Sequence, residues 1–268
     1  MPKSGLCKLC LDHKELKFSH AIGDSIFKKI YRKNSGKAIS LTSDDDAISY
    51  SNDSWAEHQL CNDCETLLNL NYEAYSLGAL RGIKVSVDKT SFGIKFSKID
   101  QHRLILYFLS ILWRAANSNH RSYKNVVVID SDNEFLRNTI LNNLKVPSSK
   151  FSIKISRVID LTKSKGFSSE SIKELILSPF CRIYETDKVN NVSVCFMFEG
   201  FFIEIFTPSL KLKNRNSAGI LHKNKNILIA PYLDLFTIDE VVALMVNNYG
   251  KHLEGRSKIK SDKKINKD

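Results

Sequence analysis

The chain has 268 residues, 43% of them hydrophobic, and carries 40 Lys and Arg against 29 Asp and Glu, a formal charge of +11. That apolar content can bury the core of one large domain or two ordinary ones. The longest apolar stretch, Leu104 to Trp113, is broken by Ser110 and stopped by Arg114, which excludes a bilayer-crossing helix of roughly 20 apolar residues.

The opening Met-Pro-Lys-Ser-Gly-Leu-Cys has no apolar region of secretory-signal type, so a reduced, cytoplasmic setting is expected. Thiols there favour metal over disulfides. Two cysteine pairs, Cys7-Lys-Leu-Cys10 and Cys61-Asn-Asp-Cys64, have the two-residue spacer that lets both sulfurs of a pair turn to one ion. Together they predict one structural four-thiolate Zn2+ site. Between the pairs, Leu16 to Gly23 alternates as a short strand with His20 near its end, and Asp24 to Tyr31 reads as a helix. The polar run Arg32 to Asp53 reads as a surface loop or weak hairpin. The second pair opens a helix whose apolar face is Leu67, Leu68, Leu70, Tyr72 and Tyr75. A cysteine knuckle and a second pair at a helix start are the ligand arrangement of a treble-clef zinc unit.

Farther on, Ile83–Val87 and Phe92–Phe96 alternate as a hairpin or edge strands. Gln101 to Asn117 is apolar nearly all round, as expected of a helix at the centre of a domain. A charge at the end of so apolar a helix makes Arg114 a residue that needs a partner or a site. Val126–Ile129 is expected as a strand, and Ser131-Asp-Asn-Glu134 as a capping box for the next helix. Phe151–Ile155 follows as a strand, and Ser169 to Leu177 as a helix ended by Pro179. Arg182–Tyr184, Val192–Phe198 and Phe201–Phe206 are expected strands, the last two joined at Glu199-Gly200. Ile227–Ala230 is another strand, and Thr237-Ile-Asp-Glu240 caps a helix running to Tyr249. Cys181 and Cys195 lie in apolar contexts and are expected as buried free thiols.

The fold class predicted is therefore α+β. A treble-clef-like zinc-binding unit spans 1–85, a larger α+β domain with a central apolar helix spans 86–250, and a basic tail expected to be disordered spans 251–268. In that tail seven Lys or Arg face three acids. Lys258, Lys260, Lys263 and Lys264 there could track phosphates, or simply keep the chain in solution.

The strings Cys7-Lys-Leu-Cys10, Phe18-Ser-His20-Ala-Ile, Leu60-Cys61-Asn-Asp-Cys64-Glu65 and Leu109-Ser-Ile-Leu-Trp-Arg114-Ala-Ala-Asn-Ser118 resemble a family of bacterial zinc proteins related to HNH-type endonucleases. Such proteins occur in mobile-element or phage-defence contexts. The resemblance implies a nucleic-acid partner, with His20 as general base and zinc bracing the fold. It also implies Mg2+ or another divalent cation, for which Glu65 and His58 are the candidate ligands, with Arg114 or the tail on the phosphate backbone. Ser19, Gly23 and Glu65 depart from the acid, proline and His or Asn of that pattern. The alternative is a non-catalytic zinc module that binds nucleic acid or a protein partner, with His20 a packed, hydrogen-bonded residue and Glu65 a helix cap.

Overall fold

The computed structural model describes residues 3–164, 166–186 and 189–259. At the N-terminus β1 (Lys3–Leu6) and β2 (His13–His20) form a hairpin, and β5 (Ala56–Cys61) adds antiparallel to β2. Helix α1 (Asp24–Lys33) follows β2 and buries Ile26, Phe27 and Ile30, a stripe at helical spacing. The polar insert carries only a two-stranded ladder, β3 (Ala38–Ser40) with β4 (Ser49–Ser51). From Cys61 the chain turns directly into α2 (Asn62–Leu68), passes through one π-helical turn (Asn69–Glu73) and continues as α3 (Ala74–Leu80).

The rest is built on a seven-stranded sheet. Its strands are β6 (Ser86–Lys89), β7 (Gly93–Ser97), β8 (Ser152–Ile159), β9 (Leu177–Thr186), β10 (Val189–Phe198), β11 (Phe201–Thr207) and β12 (Ile227–Asp234). They lie in the order β6-β7-β12-β8-β11-β10-β9, and every pairing is antiparallel except β12 with β8. The connections supply α4 (Gln101–Ala116), α5 (Asp130–Leu141), α6 (Ser169–Lys173) and α7 (Asp239–Leu253). Alternation along the strands assigns side chains to two faces. Val194, Phe196, Phe198, Ile203 and Ile205 join the main core with α4, whereas Cys195, Met197 and Phe202 join a smaller cluster with Ile172 and Val241. Helices thus cover both faces. The main cluster runs from Cys7 to Ala230, so packing is continuous across the expected boundary at residue 85. No helix among the described residues is long and apolar enough to cross a membrane.

Several expected elements form differently. Val126–Ile129 is irregular and belongs to no strand: Val126 is buried while Val127 and Ile129 are exposed. Helix α6 ends at Lys173, and Pro179 lies inside β9 instead of closing a helix. Proline is tolerated there because β9 is an edge strand, and its register with β10 shifts opposite that residue. Helices α5 and α7 start after Ile129 and Ile238 with no side-chain cap. Acids in their first turns, Asp130 and Asp132 or Asp239 and Glu240, favour the positive helix end instead. Cys195 is buried, but Cys181 is exposed, with its thiol donating to the Asn125 carbonyl at 3.0 Å.

The expected tail is ordered at its start. Helix α7 runs through Lys251, a buried cation whose Nζ donates to the carbonyls of Thr42, Asp44 and Asp46 at 2.9, 2.6 and 3.0 Å. Those three acceptors replace the ammonium's water. Ser257 then bridges to Ile48, and the Lys258 N–H donates to the Ile48 carbonyl at 2.8 Å. Lys260, Lys263 and Lys264 lie outside the described residues.

Trp113 is 1% exposed, in the last turn of the helix at the centre of the main core. Trp113→Ala is expected to cost about 3–5 kcal/mol in a denaturant titration, a large share of a domain's stability. A loss under about 1 kcal/mol would assign Trp113 to a compliant surface site.

Candidate functional site

The hairpin turn between β1 and β2 presents Cys7 and Cys10. Its backbone closes on itself, with Leu11 N–H donating to Cys7 O at 2.8 Å and Cys7 N–H to Asp12 O at 2.9 Å. Cys61 ends β5 and Cys64 follows in the first turn of α2, so a spacing of three puts both sulfurs on one side. The Lys8 N–H donates to Gln59 O at 3.2 Å and draws the turn onto β5. All four sulfurs lie within 4.8 Å of one another, and Cys10 Sγ is 3.9 Å from Cys61 Sγ. Tetrahedral zinc with bonds of about 2.3 Å separates its sulfurs by roughly 3.8 Å, so the cluster fits that ion.

The thiols' own chemistry points the same way. Burial opposes ionisation of Cys7, but the N–H groups of Cys10, Cys61 and Leu9 aimed at its sulfur bring it down to about 7. Burial pushes Cys10 up to about 11, and burial with the neighbouring sulfurs pushes Cys64 well above the usual thiol range. Four sulfurs this close cannot all ionise without a cation. A soft divalent ion is the partner that lets them do so. Lys8 Nζ also donates to the Asn117 carbonyl at the end of α4, and Arg137 Nη1 to Leu9 O at 2.7 Å. The turn is thereby tied to α4 and α5.

His20 stands at the end of β2, with a side chain 17% exposed. Its Nε2 is 2.9 Å from Ser54 Oγ and 3.7 Å from Asp24 Oδ1. Burial lowers its pKa, opposed by the Asp24 charge, so the ring is neutral near pH 7. Glu65, one residue past Cys64, receives Arg114 Nη2 at 2.8 Å; Arg114 is 3% exposed, and its Nε has no partner. Both charges act on His20. His58 does not join them. Its Nδ1 lies 3.1 Å from Leu16 O, and its ring leans on the exposed Phe18, 5.4 Å between centroids. His20, His58 and Glu65 therefore form no convergent ligand group; among the described residues the four cysteines alone do.

Two acids that the sequence reading passed over complete the surroundings. Asp24 opens α1 beside His20 and pairs with Lys28. Glu73, last residue of the π-helical turn, lies against Gly23: a Cβ there would stand 2.2 Å from Glu73 Oε1. Glycine at that position makes room for a carboxylate. Burial raises the pKa of Glu73, which has no hydrogen-bond or ion-pair partner among the described residues, while the Arg114, Glu65 and Asp24 charges reach it. The eight-residue interval between Glu65 and Glu73, close to two helical turns, was the available signal.

No family model matches the chain, and no curated protein or solved structure matches it either.

Purified protein is expected to carry one zinc. Replacing Cys64 by Ser should abolish it and expose residues 1–85 to protease, since the metal supplies folding energy. Equal zinc content and protease resistance in C64S and wild type would refute a metal brace. The two glutamates should behave oppositely. Glu65→Gln removes the carboxylate facing a buried Arg114 and should cost about 3 kcal/mol. For Glu73 burial raises the folded-state pKa, so ionisation above the ordinary carboxylate range costs stability. Glu73→Gln should melt at or above wild type at pH 7.5, with the gain fading as the pH falls to about 4.3. A melting temperature clearly below wild type at pH 7.5 would show that ionised Glu73 is stabilised in the fold.

Proposed function

We propose that the chain is a zinc-braced, nucleic-acid-acting protein, a divalent-metal-dependent HNH-type endonuclease with a treble-clef-like metal unit. The observation that carries this reading is the setting of His20, a neutral imidazole with Asp24 3.7 Å from Nε2, on a strand that pairs directly with the one ending at Cys61. A neutral His20 can take the proton of an attacking water, and Asp24 stabilises the imidazolium that results. The four-cysteine cluster positions and does not react. Its connection to β2, β5 and α2 fixes where His20 and Glu65 stand.

Arg114 is buried against Glu65 and holds α4 to α2, which leaves phosphate contact to other cations, such as the exposed Lys258. Asp24 and Glu73 are hard oxygen donors of the kind Mg2+ shares with substrate phosphates, and such an ion would stabilise charge on the leaving oxygen. The +11 charge supports a polyanionic partner. The resemblance in the cysteine, His20 and Trp-Arg strings extends the proposal to a bacterial phage-defence or mobile-element setting.

In a nuclease assay with Mg2+, His20→Ala should abolish cleavage while leaving DNA affinity and its salt dependence unchanged, since the base acts on the chemical step. Truncation after Ile259, which spares the buried Lys251, should flatten the plot of log affinity against log salt by about 0.9 per lost phosphate contact. No salt-dependent binding to DNA or RNA by the full chain would overturn the proposal and favour a protein partner.

A further inference from the structure

A second site lies at the other end of α4, about 14 Å along the helix axis from Arg114. A cavity of about 320 Å³ opens between the start of β8, the segment after α5 and the loop leading into β12. Its floor is apolar, with Ile105 from α4 and Phe151, Ile153 and Leu221 among the lining side chains. Its rim is cationic: Arg215, Lys223 and Lys225 line it together with His222, and no Asp or Glu does. None of these three cations has a carboxylate partner among the described residues; Arg215 Nε and Lys223 Nζ donate to the carbonyls of Leu210 and Val146 at 2.5 and 3.1 Å.

The frame is built. Leu221 N–H donates to Ile153 O at 2.9 Å, and His222 N–H to Gln101 Oε1 at 2.8 Å. Gly219 lets the loop lie against β8, since a Cβ there would stand 2.5 Å from Ile155 O and its φ is +87°. Three cations without a carboxylate partner beside a rigid apolar floor suit a ligand with a flat ring at one end and more than one negative charge at the other. Ser148 and Asn224 on the lining offer hydrogen bonds to a polar ring edge.

We propose that this cavity binds a nucleoside monophosphate unit, with the base on the apolar floor and the phosphate at the Arg215, Lys223 and Lys225 rim, either as a free nucleotide or as the 5′-phosphorylated end of a strand. The site is separate from the cysteine cluster and His20, and does not depend on the nuclease reading.

The test is calorimetry on the full chain with AMP, GMP, CMP and UMP, with inorganic phosphate, and with a 5′-phosphorylated oligonucleotide beside its unphosphorylated twin. Binding of at least one mononucleotide more tightly than phosphate is expected, falling at least tenfold in Lys225→Glu and in Ser148→Trp, which plugs the mouth. Preference for the phosphorylated oligonucleotide alone, with the same losses, would identify the strand end as the source. The proposal is overturned if neither nucleotides nor the phosphorylated end bind, if phosphate alone binds as tightly, or if the variants bind like wild type. Lys225 is exposed, so Lys225→Glu decides the matter should Ser148→Trp fail to fold.

Discussion

Helix α4 is a constraint that the rest of the chain must satisfy. Thirteen of its sixteen residues are buried, so no face of it is left for water and other elements must enclose it on every side. The sheet supplies one wall through Phe198 and Ile203; the cysteine unit and α5 supply others. Burying so much of one helix also presses its polar groups to find partners, and most of them do. Gln101 donates to Ile227 O and accepts from His222 N–H, Ser110 donates to Tyr107 O, and Arg114 meets Glu65 while its carbonyl accepts from Gln59. All of these bonds except the local one of Ser110 fix a segment far away in sequence. The cavity loop and the helix that follows Cys61 are both positioned from α4.

A second clasp works from the opposite direction. Glu199, at the turn between β10 and β11, is 4% exposed, and its carboxylate receives Arg81 at 2.6 Å and Lys29 at 2.9 Å. Burial opposes its ionisation, but these two cations hold its pKa below the usual range. Arg157 Nη1 donates to the Glu199 carbonyl at 2.9 Å. A hairpin turn of the large sheet is thereby locked to α1 and the end of α3. The cysteine unit is not a bead on a linker, which explains why its core merges with that of the sheet.

What the sequence disclosed follows from the range of the interactions involved. The paired CxxC spacing is local chemistry, and the sulfurs do come together. The apolar run at 101–117 and the alternation around Glu199-Gly200 are likewise periodic, and α4, β10 and β11 lie where periodicity puts them. Val126–Ile129 has the same β-branched signature as a strand, but a strand also needs a neighbour's edge, which lies in no one segment. Capping motifs failed at Ser131 and Thr237 because acids one or two residues away met the same need; Thr237 Oγ1 donates instead to Asp234 O at 2.7 Å. Lys251 looked like tail because a lone lysine reveals nothing of a loop two hundred residues earlier. Glu73 escaped notice because its spacing from Glu65 marks a shared helix side but not burial, and it stands in a π-helical turn that no local motif announced.

That last residue bears on how the candidate site relates to stability. Buried polar groups are ordinarily paired, yet Arg114 Nε and the hydroxyl of the buried Tyr107 have no partner among the described residues, and nearby the half-buried Glu73 makes no hydrogen bond or ion pair with them. Burial raises the Tyr107 pKa well above its usual range, and the charge of Glu73 adds to that effect. Natural cores hold few such groups, and each costs free energy of the order of a lost hydrogen bond, about 1–3 kcal/mol. Ser76 Oγ, His102 Nδ1 and Asn248 Oδ1 are also without partners among the described residues, so such conflicts are not confined to one spot; here two of them accompany Glu73, on which the Arg114 charge acts. Conflicts of this kind gather where a fold is shaped for a ligand's groups. The Glu199 clasp and the strand pairing beside the cysteines hold the flanks of that region, so contacts made elsewhere offset what these unpaired groups cost.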